Sequence, residues 1–203
     1  MALLRSRSQE TSYRESADAE TVSPVLHALL DGMQEERRYT ILDLGPACGA
    51  NVAFFSRFSC RLHIADVMEA VAALDAGLEE EDLERRIADL LPQQETCFDL
   101  ILCWDVLNYL PRPALKLFAG RLARFAGRDT RVHAYVSSLR ELPAQPPRYT
   151  LLEDGRVRYT VSPGEARNCP RYSQPELLRL MPTLRVERGV LLRNGMQEYL
   201  FRR

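Results

Sequence analysis

The stretch from Tyr39 to Asn51 constrains the fold of this 203-residue chain more than any other part of the sequence. An apolar run there ends in Asp43 and is followed by a glycine-containing turn and a helix-like segment. Such runs are typical of strands that are buried on both faces of a parallel sheet. Because Gly45 and Gly49 lack a Cβ, a ligand can lie against the main chain of the turn. The stretch therefore predicts a ligand crevice at the carboxyl end of a strand.

A dinucleotide such as NAD is one candidate ligand for this turn, but the glycine pattern argues against it. The dinucleotide fingerprint needs Gly-x-Gly-x-x-Gly, whereas the three positions here hold Gly45, Ala47 and Ala50. The carboxylate of Asp43, two residues before the first glycine, also suits a cation better than a pyrophosphate. A nicotinamide-dependent dehydrogenase is therefore the least favoured function.

Two later segments repeat the pattern of a strand that ends in an acid. Residues 61–66 form a short apolar segment that ends at Asp66, where the second strand of a βαβ unit is expected to end. Asp66 can accept both hydroxyls of a ribose, cap the helix that follows it, or do both. Residues 83–89 are interpreted as a third strand that ends at Asp89, although a helix also fits because their apolar residues do not alternate.

A fourth signal is the buried strand predicted over residues 98–103, which runs into Trp104 and Asp105. The order of the four signals resembles the class I S-adenosylmethionine-dependent methyltransferases, whose first motif is acid-x-Gly-x-x-x-Gly. Ala47 departs from the glycine that many members have in the middle of that motif. The resemblance covers residues 38–138 and implies S-adenosylmethionine as the cofactor.

The resemblance also implies roles along the crevice. Asp43 would reach the amino-acid end of the cofactor, Asp66 would hold the ribose, and Asp89 would accept from the adenine amino group. The N–H of the next residue, Leu90, would meet a ring nitrogen of the adenine. The full set of cofactor-binding residues that it implies is Asp43, Gly45, Pro46, Ala47, Gly49, Asp66, Val67, Asp89, Leu90, Cys103 and Trp104.

The fold that follows is an α/β, Rossmann-like, doubly wound sheet of seven mostly parallel strands. A helix is predicted over residues 20–33, with Ser23-Pro24 either inside it or at its start. A β-hairpin over 148–161 is inserted after the fifth strand, where insertions in this family commonly cover the active site. Asn194-Gly195 between two apolar runs predicts a C-terminal antiparallel hairpin. One domain, 1–203, is expected, made of an N-terminal tail and helix (1–37), a cofactor-binding core (38–138), an insertion that covers the substrate (139–172), and a C-terminal helix and hairpin (173–203).

The chemistry of methyl transfer explains why acids at strand ends are more informative than a catalytic triad. A sulfonium is already activated, so the protein mainly aligns the reacting atoms and excludes water. If the acceptor is a hydroxyl or a protonated amine, a base must take its proton. Asp105 is the predicted catalytic base from its position, because an unpaired carboxylate in a core is costly. The candidate substrate-contacting residues are Tyr109, Tyr149, Arg171 and Tyr172.

Composition and charge limit the partners. The net charge of −1 and the pI near 6.3 argue against a general nucleic-acid binder. Residues 131–203 carry 13 arginines and 7 acidic residues, which leaves an anionic acceptor, or an RNA or protein partner, open. No apolar run is long enough to cross a membrane. Five cysteines and three histidines without metal-binding spacing indicate reduced thiols, no metal site and a cytoplasmic location.

These observations favour an S-adenosylmethionine-dependent methyltransferase that acts by in-line displacement on a small-molecule acceptor. The alternative is a non-catalytic protein of the same fold that binds the cofactor or a partner. Its support is the weak third strand and the missing middle glycine. The sequence predicts neither the acceptor nor the oligomeric state.

Overall fold

The computed structural model describes residues 17–34, 36–74, 77–93 and 96–203, so the predicted N-terminal tail lies mostly outside the described residues. The helices are α1 Pro24–Asp31, α2 Gly49–Phe55, α3 Met68–Ala72, α4 Glu80–Leu90, a 3₁₀ helix Val106–Tyr109, α5 Arg112–Leu122 and α6 Gln174–Leu180. The strands are β1 Ala17–Val22, β2 Tyr39–Asp43, β3 Cys60–Ile64, β4 Phe98–Leu102, β5 Ala126–Ser137, β6 Glu141–Pro143, β7 Arg148–Leu151, β8 Arg156–Val161, β9 Ala166–Asn168, β10 Arg185–Leu191 and β11 Met196–Arg202.

A central sheet with the order β10-β11-β5-β4-β2-β3 carries helices on both faces. Strands β3, β2, β4 and β5 are parallel, and β11 and β10 add to them as an antiparallel pair. Neighbouring residues of β2 enter opposite cores: Ile41 packs with α1 and α2, whereas Leu42 packs with α3, α4, α5 and α6. The predicted doubly wound α/β fold is therefore confirmed.

The predicted third strand is wrong, because residues 83–89 lie within helix α4. Leu83 and Ile87 are four residues apart and both are buried, which places them on one face of a helix. That face packs toward α5 and the core on the same side of the sheet. The central sheet therefore has six strands instead of seven, and β3 is its edge.

Of the two positions expected for Ser23-Pro24, the start of the helix is confirmed, whereas the helical prediction for the residues before it is wrong. Residues 17–22 form strand β1, which pairs antiparallel with β8, and the helix starts only at Pro24, whose fixed φ suits a first turn. The hairpin β7–β8 is confirmed, and with β1 it forms a three-stranded sheet in the order β1-β8-β7, called the cap sheet below. The cap sheet buries Tyr149, Leu151 and Val157 in the same core as α1 and α2.

The C-terminal elements follow the sequence closely. Ser173 accepts a hydrogen bond from the N–H of Glu176 at 3.4 Å, so Ser173 is the N-cap of α6. Gly195 has a φ of +80° in the turn between β10 and β11, which explains the glycine there. The longest helices of the described residues, α4 and α5, have 11 residues each and are too short to span a bilayer.

Candidate functional site

The carboxyl ends of β2, β3 and β4 meet at one edge of the central sheet because the three strands are parallel. Asp43 lies opposite Ile64 on one side and Leu102 on the other. The residues that directly follow these strands therefore lie near each other, and we call Asp43, Gly45, Asp66 and Cys103 the strand-end edge. The sequence placed all four in one crevice, and the structure brings them together.

Asp43 points into the protein and is only 1% exposed. Its Oδ1 accepts hydrogen bonds from the Trp104 indole N–H at 2.6 Å and from the Gly45 N–H at 2.9 Å. Burial raises the pKa of Asp43, the two hydrogen bonds oppose this, and the nearby charge of Asp66 raises it further. The strand-end edge thus holds a buried carboxyl group and, close to it, a second acid.

Asp66 differs from Asp43 because it is exposed to solvent. It has a φ of +47°, a left-handed conformation that Asp adopts more readily than most residues. The next N–H, that of Val67, donates to the carbonyl of Leu44 at 3.1 Å and so ties the turn to the end of β2. Val67 precedes α3, and no side-chain capping bond forms there. The carboxylate of Asp66 therefore faces solvent at the strand-end edge.

The two glycines of the turn have different surroundings. A Cβ on Gly45 would lie 2.8 Å from the indole nitrogen of Trp104, whereas a Cβ on Gly49 would meet nothing within 4 Å. Gly45 therefore makes room for a side chain of the protein itself. Gly49 is exposed at the start of α2 and leaves its main chain accessible, as do the exposed or half-buried neighbours Pro46 and Ala47.

Trp104 joins the strand-end edge to the other side of the molecule. It is 1% exposed and has a φ of +48°, which is rare for a bulky residue and stores backbone strain. Its ring stacks on that of Tyr149, with 5.2 Å between centroids and 5° between planes. Trp104 is thus a core aromatic residue that touches Asp43 with its N–H and Tyr149 with its face.

Asp89 and Leu90 do not end a strand, contrary to the sequence interpretation, because α4 contains both. Asp89 is exposed on this helix, and Leu90 packs partly buried against the core. The adenine role that was expected for them rests on a strand that the chain does not form.

The second region is a cavity of about 280 Å³ beneath the cap sheet. Its walls come from the cap sheet, β5, the segment that follows β5 and the turn between β10 and β11. They include Asp105, Tyr135, Leu142, Tyr149, Tyr159 and Met196. Of the residues predicted to contact a substrate or to act as a base, Asp105 and Tyr149 lie here.

Asp105 is the one acid among the described residues that line the cavity. It is 2% exposed, and its Oδ1 has no hydrogen-bond partner. Burial raises the pKa of Asp105 to about 7, although the Tyr149 hydroxyl donates to the carboxylate and acts in the opposite direction. A carboxyl group with such a pKa can take a proton near neutral pH.

The other predicted substrate residues lie outside the cavity, and two of them make hydrogen bonds within the protein. The Tyr109 hydroxyl donates to the carbonyl of Pro143 at 3.0 Å, beneath the guanidinium of Arg167. The Tyr172 hydroxyl donates to the carbonyl of Leu110 at 2.5 Å. Arg171 is exposed with a φ of +50° and does not line the cavity. These three residues are not brought together with Asp105 in the cavity.

Sequence reasoning missed Tyr135 and Tyr159 as cavity residues. Tyr135 lies in β5 with its ring 5.4 Å from that of Tyr149, and the ring of Tyr159 is 6.3 Å from Tyr149 on another side. No local signal in the sequence showed that β8 would face β5. Tyr135 and Tyr159 line the same cavity because of contacts between distant parts of the chain.

A buried polar cluster supports this wall of the cavity. Glu198 is fully buried and accepts hydrogen bonds from the N–H groups of Val25 and Leu26, from the Ser23 hydroxyl and from His133. Burial alone would raise the pKa of Glu198, but these bonds lower it below its usual value. The Tyr135 hydroxyl in turn contacts Ser23 at 2.7 Å. His133 is therefore a buried core histidine whose Nε2 is hydrogen-bonded to Glu198.

No family model and no curated protein matches the sequence. Solved structures resemble it in fold. An S-adenosylmethionine-dependent methyltransferase from Mesorhizobium loti matches 87% of this chain and 96% of its own, with 14% identity and a TM-score of 0.53. The PH0226 protein from Pyrococcus horikoshii OT3 matches 88% of this chain and 87% of its own, with 13% identity and a TM-score of 0.53.

These similarities define the fold as that of the class I methyltransferases, with a mostly parallel sheet that ends in an antiparallel pair. Within the described parts of the chain, no group of His, Cys, Asp and Glu side chains could hold a metal ion.

Proposed function

We propose that this protein is an S-adenosylmethionine-dependent methyltransferase with a small-molecule acceptor. The observation that carries the proposal is the arrangement around Trp104. On one side of its ring lies the strand-end edge with two carboxyl groups, and on the other lies Tyr149 at the wall of a cavity that holds Asp105. A donor site and an acceptor site would adjoin each other in this arrangement.

The residues of the strand-end edge fit a cationic nucleoside. When bound, S-adenosylmethionine supplies a methyl group on a positively charged sulfur. The exposed carboxylate of Asp66 can accept from two ribose hydroxyls. Asp43 and Asp66 together give this edge a negative potential that favours a cation. The open space at Gly49 leaves room for a ligand against the main chain.

Asp105 supplies the remaining chemical function in this proposal. An acceptor hydroxyl or N–H group gives up a proton when it becomes methylated, and a buried carboxylate without a partner on Oδ1 can accept it. The apolar surroundings exclude water from this position, which keeps the acceptor in one orientation.

Calorimetry on the purified protein tests the cofactor half of the proposal. S-adenosylmethionine or S-adenosylhomocysteine should bind, and Asp66→Ala should weaken binding by about tenfold because two charge-assisted hydrogen bonds are lost. Glu69→Ala is the matched control, since Glu69 is an exposed acid on the neighbouring helix α3. Its affinity should stay at the wild-type value.

One outcome would reject the proposal, and two others would modify it. Micromolar binding of NAD in place of S-adenosylmethionine would reject it. Equal losses in Asp66→Ala and Glu69→Ala would remove the specific role of Asp66. Cofactor binding without methyl transfer to any member of a broad acceptor panel would favour the non-catalytic alternative.

A further inference from the structure

The cavity beneath the cap sheet has walls that select the shape of a ligand. The rings of Tyr149, Trp104 and Tyr135 all contact one another, with centroid distances of 5.2 Å (Tyr149–Trp104), 5.4 Å (Tyr149–Tyr135) and 6.5 Å (Trp104–Tyr135). Tyr159 extends the same aromatic surface, and Leu142 and Met196 complete it with apolar side chains. Flat aromatic surfaces of this kind favour a flat aromatic ligand, which can lie parallel or edge-on to them.

The size of the cavity limits the ligand to about two rings. Its volume is about 280 Å³. An apolar cavity of about 150 Å³ accepts benzene, so this one has space for a bicyclic molecule and little more.

The charge of the cavity excludes an anion. No described residue that lines it is basic, and Asp105 is its one acid. None of the arginines of residues 131–203 lines the cavity. Arg156 and Arg158 bind Glu20 on the outside of the cap sheet, and Arg131 binds Glu187. An anionic acceptor would therefore lie beside a carboxyl group without a compensating cation.

The single acid also indicates which polar group the ligand must carry. The Tyr149 hydroxyl donates to the Asp105 carboxylate, while Oδ1 of Asp105 has no partner in the described structure. A buried carboxylate oxygen without a donor is costly, and a ligand that offers an O–H or N–H would satisfy it.

We propose that the cavity binds an uncharged bicyclic aromatic acceptor whose phenolic hydroxyl or ring N–H donates to Asp105. This inference rests on the proposed function for its chemical step but not for its binding step. In the chemical step the acceptor oxygen or nitrogen forms a bond to the methyl carbon while the carbon–sulfur bond breaks. The acceptor proton passes to the Asp105 carboxylate, and the products are the methylated aromatic and the thioether S-adenosylhomocysteine.

Binding can be tested without the cofactor, using three probes of similar size: 2-naphthol, 2-methoxynaphthalene and 2-naphthoate. At neutral pH, 2-naphthol should bind about tenfold more tightly than 2-methoxynaphthalene, which lacks the donor, and also more tightly than the anionic 2-naphthoate. Calorimetry measures the affinities. Trp104 is the only tryptophan of the chain, so its indole N–H resonance reports binding next to Tyr149.

Variants at Asp105 test whether this residue causes the preference for 2-naphthol over the other two probes. Asp105→Leu should abolish the advantage of 2-naphthol over 2-methoxynaphthalene, and Asp105→Asn should bind 2-naphthoate about tenfold more tightly than the wild type does. Asp82→Asn, an exposed acid on α4, is the control and should keep the wild-type ranking. If a variant does not fold, the ranking of the three probes on the wild type still tests the inference.

Two results would overturn the inference: wild-type binding of 2-naphthoate as tight as that of 2-naphthol, or an indole resonance that none of the probes shifts. Failure of the proposed function has a different signature. In that case S-adenosylmethionine would not bind, while the ranking of the aromatic probes would remain as stated.

Discussion

The strand-end edge and the cavity are built in different ways, although both touch Trp104. The strand-end edge consists of residues that follow consecutive parallel strands, so local sequence decides its composition. The cavity is enclosed by β1, β5, β7 and β8, which are far apart in the sequence. The strand-end edge can therefore be recognised from a motif, whereas the cavity depends on which distant segments the chain folds over it.

The first prediction tests the cavity, and it has the largest expected effect. Asp105→Asn should lower methyl transfer to 2-naphthol by roughly 10²–10⁴-fold, because the amide cannot take the acceptor proton. Wild-type kcat/KM should rise as the pH increases through about 7, where Asp105 ionises. Asp82→Asn is the control for rate and for pH profile.

The same variant should be more stable than the wild type above neutral pH. The folded-state pKa of Asp105 is raised from 3.8 to about 7, so ionisation costs the folded state stability, which falls as the pH rises from about 4 to about 7. Asn stays neutral, and its free energy of unfolding at pH 8 should exceed that of the wild type by on the order of 2–4 kcal/mol. Urea unfolding at pH 4 and pH 8 measures the difference. Equal stability and unchanged rate would remove Asp105 from the acceptor site.

The second prediction tests the strand-end edge with a matched pair of glycines. Gly45→Ala should reduce the free energy of unfolding by about 1–3 kcal/mol, because the new Cβ would lie 2.8 Å from the Trp104 indole. Gly49→Ala should leave stability unchanged or raise it by up to about 1 kcal/mol, since its Cβ would meet open space in a helix. Chemical denaturation distinguishes the two variants.

Cofactor affinity is a second measurement that distinguishes the two glycine variants. If a ligand lies against the main chain at Gly49, Gly49→Ala should weaken S-adenosylmethionine binding without any loss of stability. An unaltered affinity in Gly49→Ala would place the ligand elsewhere along the edge.

The third prediction concerns Tyr149, where the two regions meet, and it has the smallest expected effect. Tyr149→Phe removes the hydroxyl that donates to the Asp105 carboxylate but keeps the ring that stacks on Trp104. The pKa of Asp105 should therefore rise further, and the pH–rate profile should move to higher pH, while the affinity for 2-methoxynaphthalene stays the same. A profile that does not move would mean that this hydroxyl has no influence on the base.

The sequence predicted the parts of the fold whose cause is local. The strand before Asp43 and the hairpin at Asn194-Gly195 both depend on neighbouring residues, and both are present. The predicted third strand is a helix because Leu83 and Ile87 are four residues apart, a helical spacing that sets one apolar face.

The candidate site was predictable to the same extent. Asp43, Gly45 and Asp66 come together because parallel strands bring their ends to one edge. Gly45 was expected to make room for a ligand, but the Trp104 side chain fills the space that a Cβ on Gly45 would need. Trp104 lies 59 positions later in the sequence, and no local pattern indicates this contact. Tyr135 and Tyr159 became partners only through the fold of the cap sheet.

The buried Glu198 has a consequence for how the protein is made. It caps α1 across a separation of 172 residues, and β1 of the cap sheet leads directly into that helix. Closing so long a loop costs entropy that only the finished contacts repay. During synthesis the cavity beneath the cap sheet should therefore stay uncovered until residue 198 has left the ribosome, so the nascent chain would expose its aromatic side chains until then.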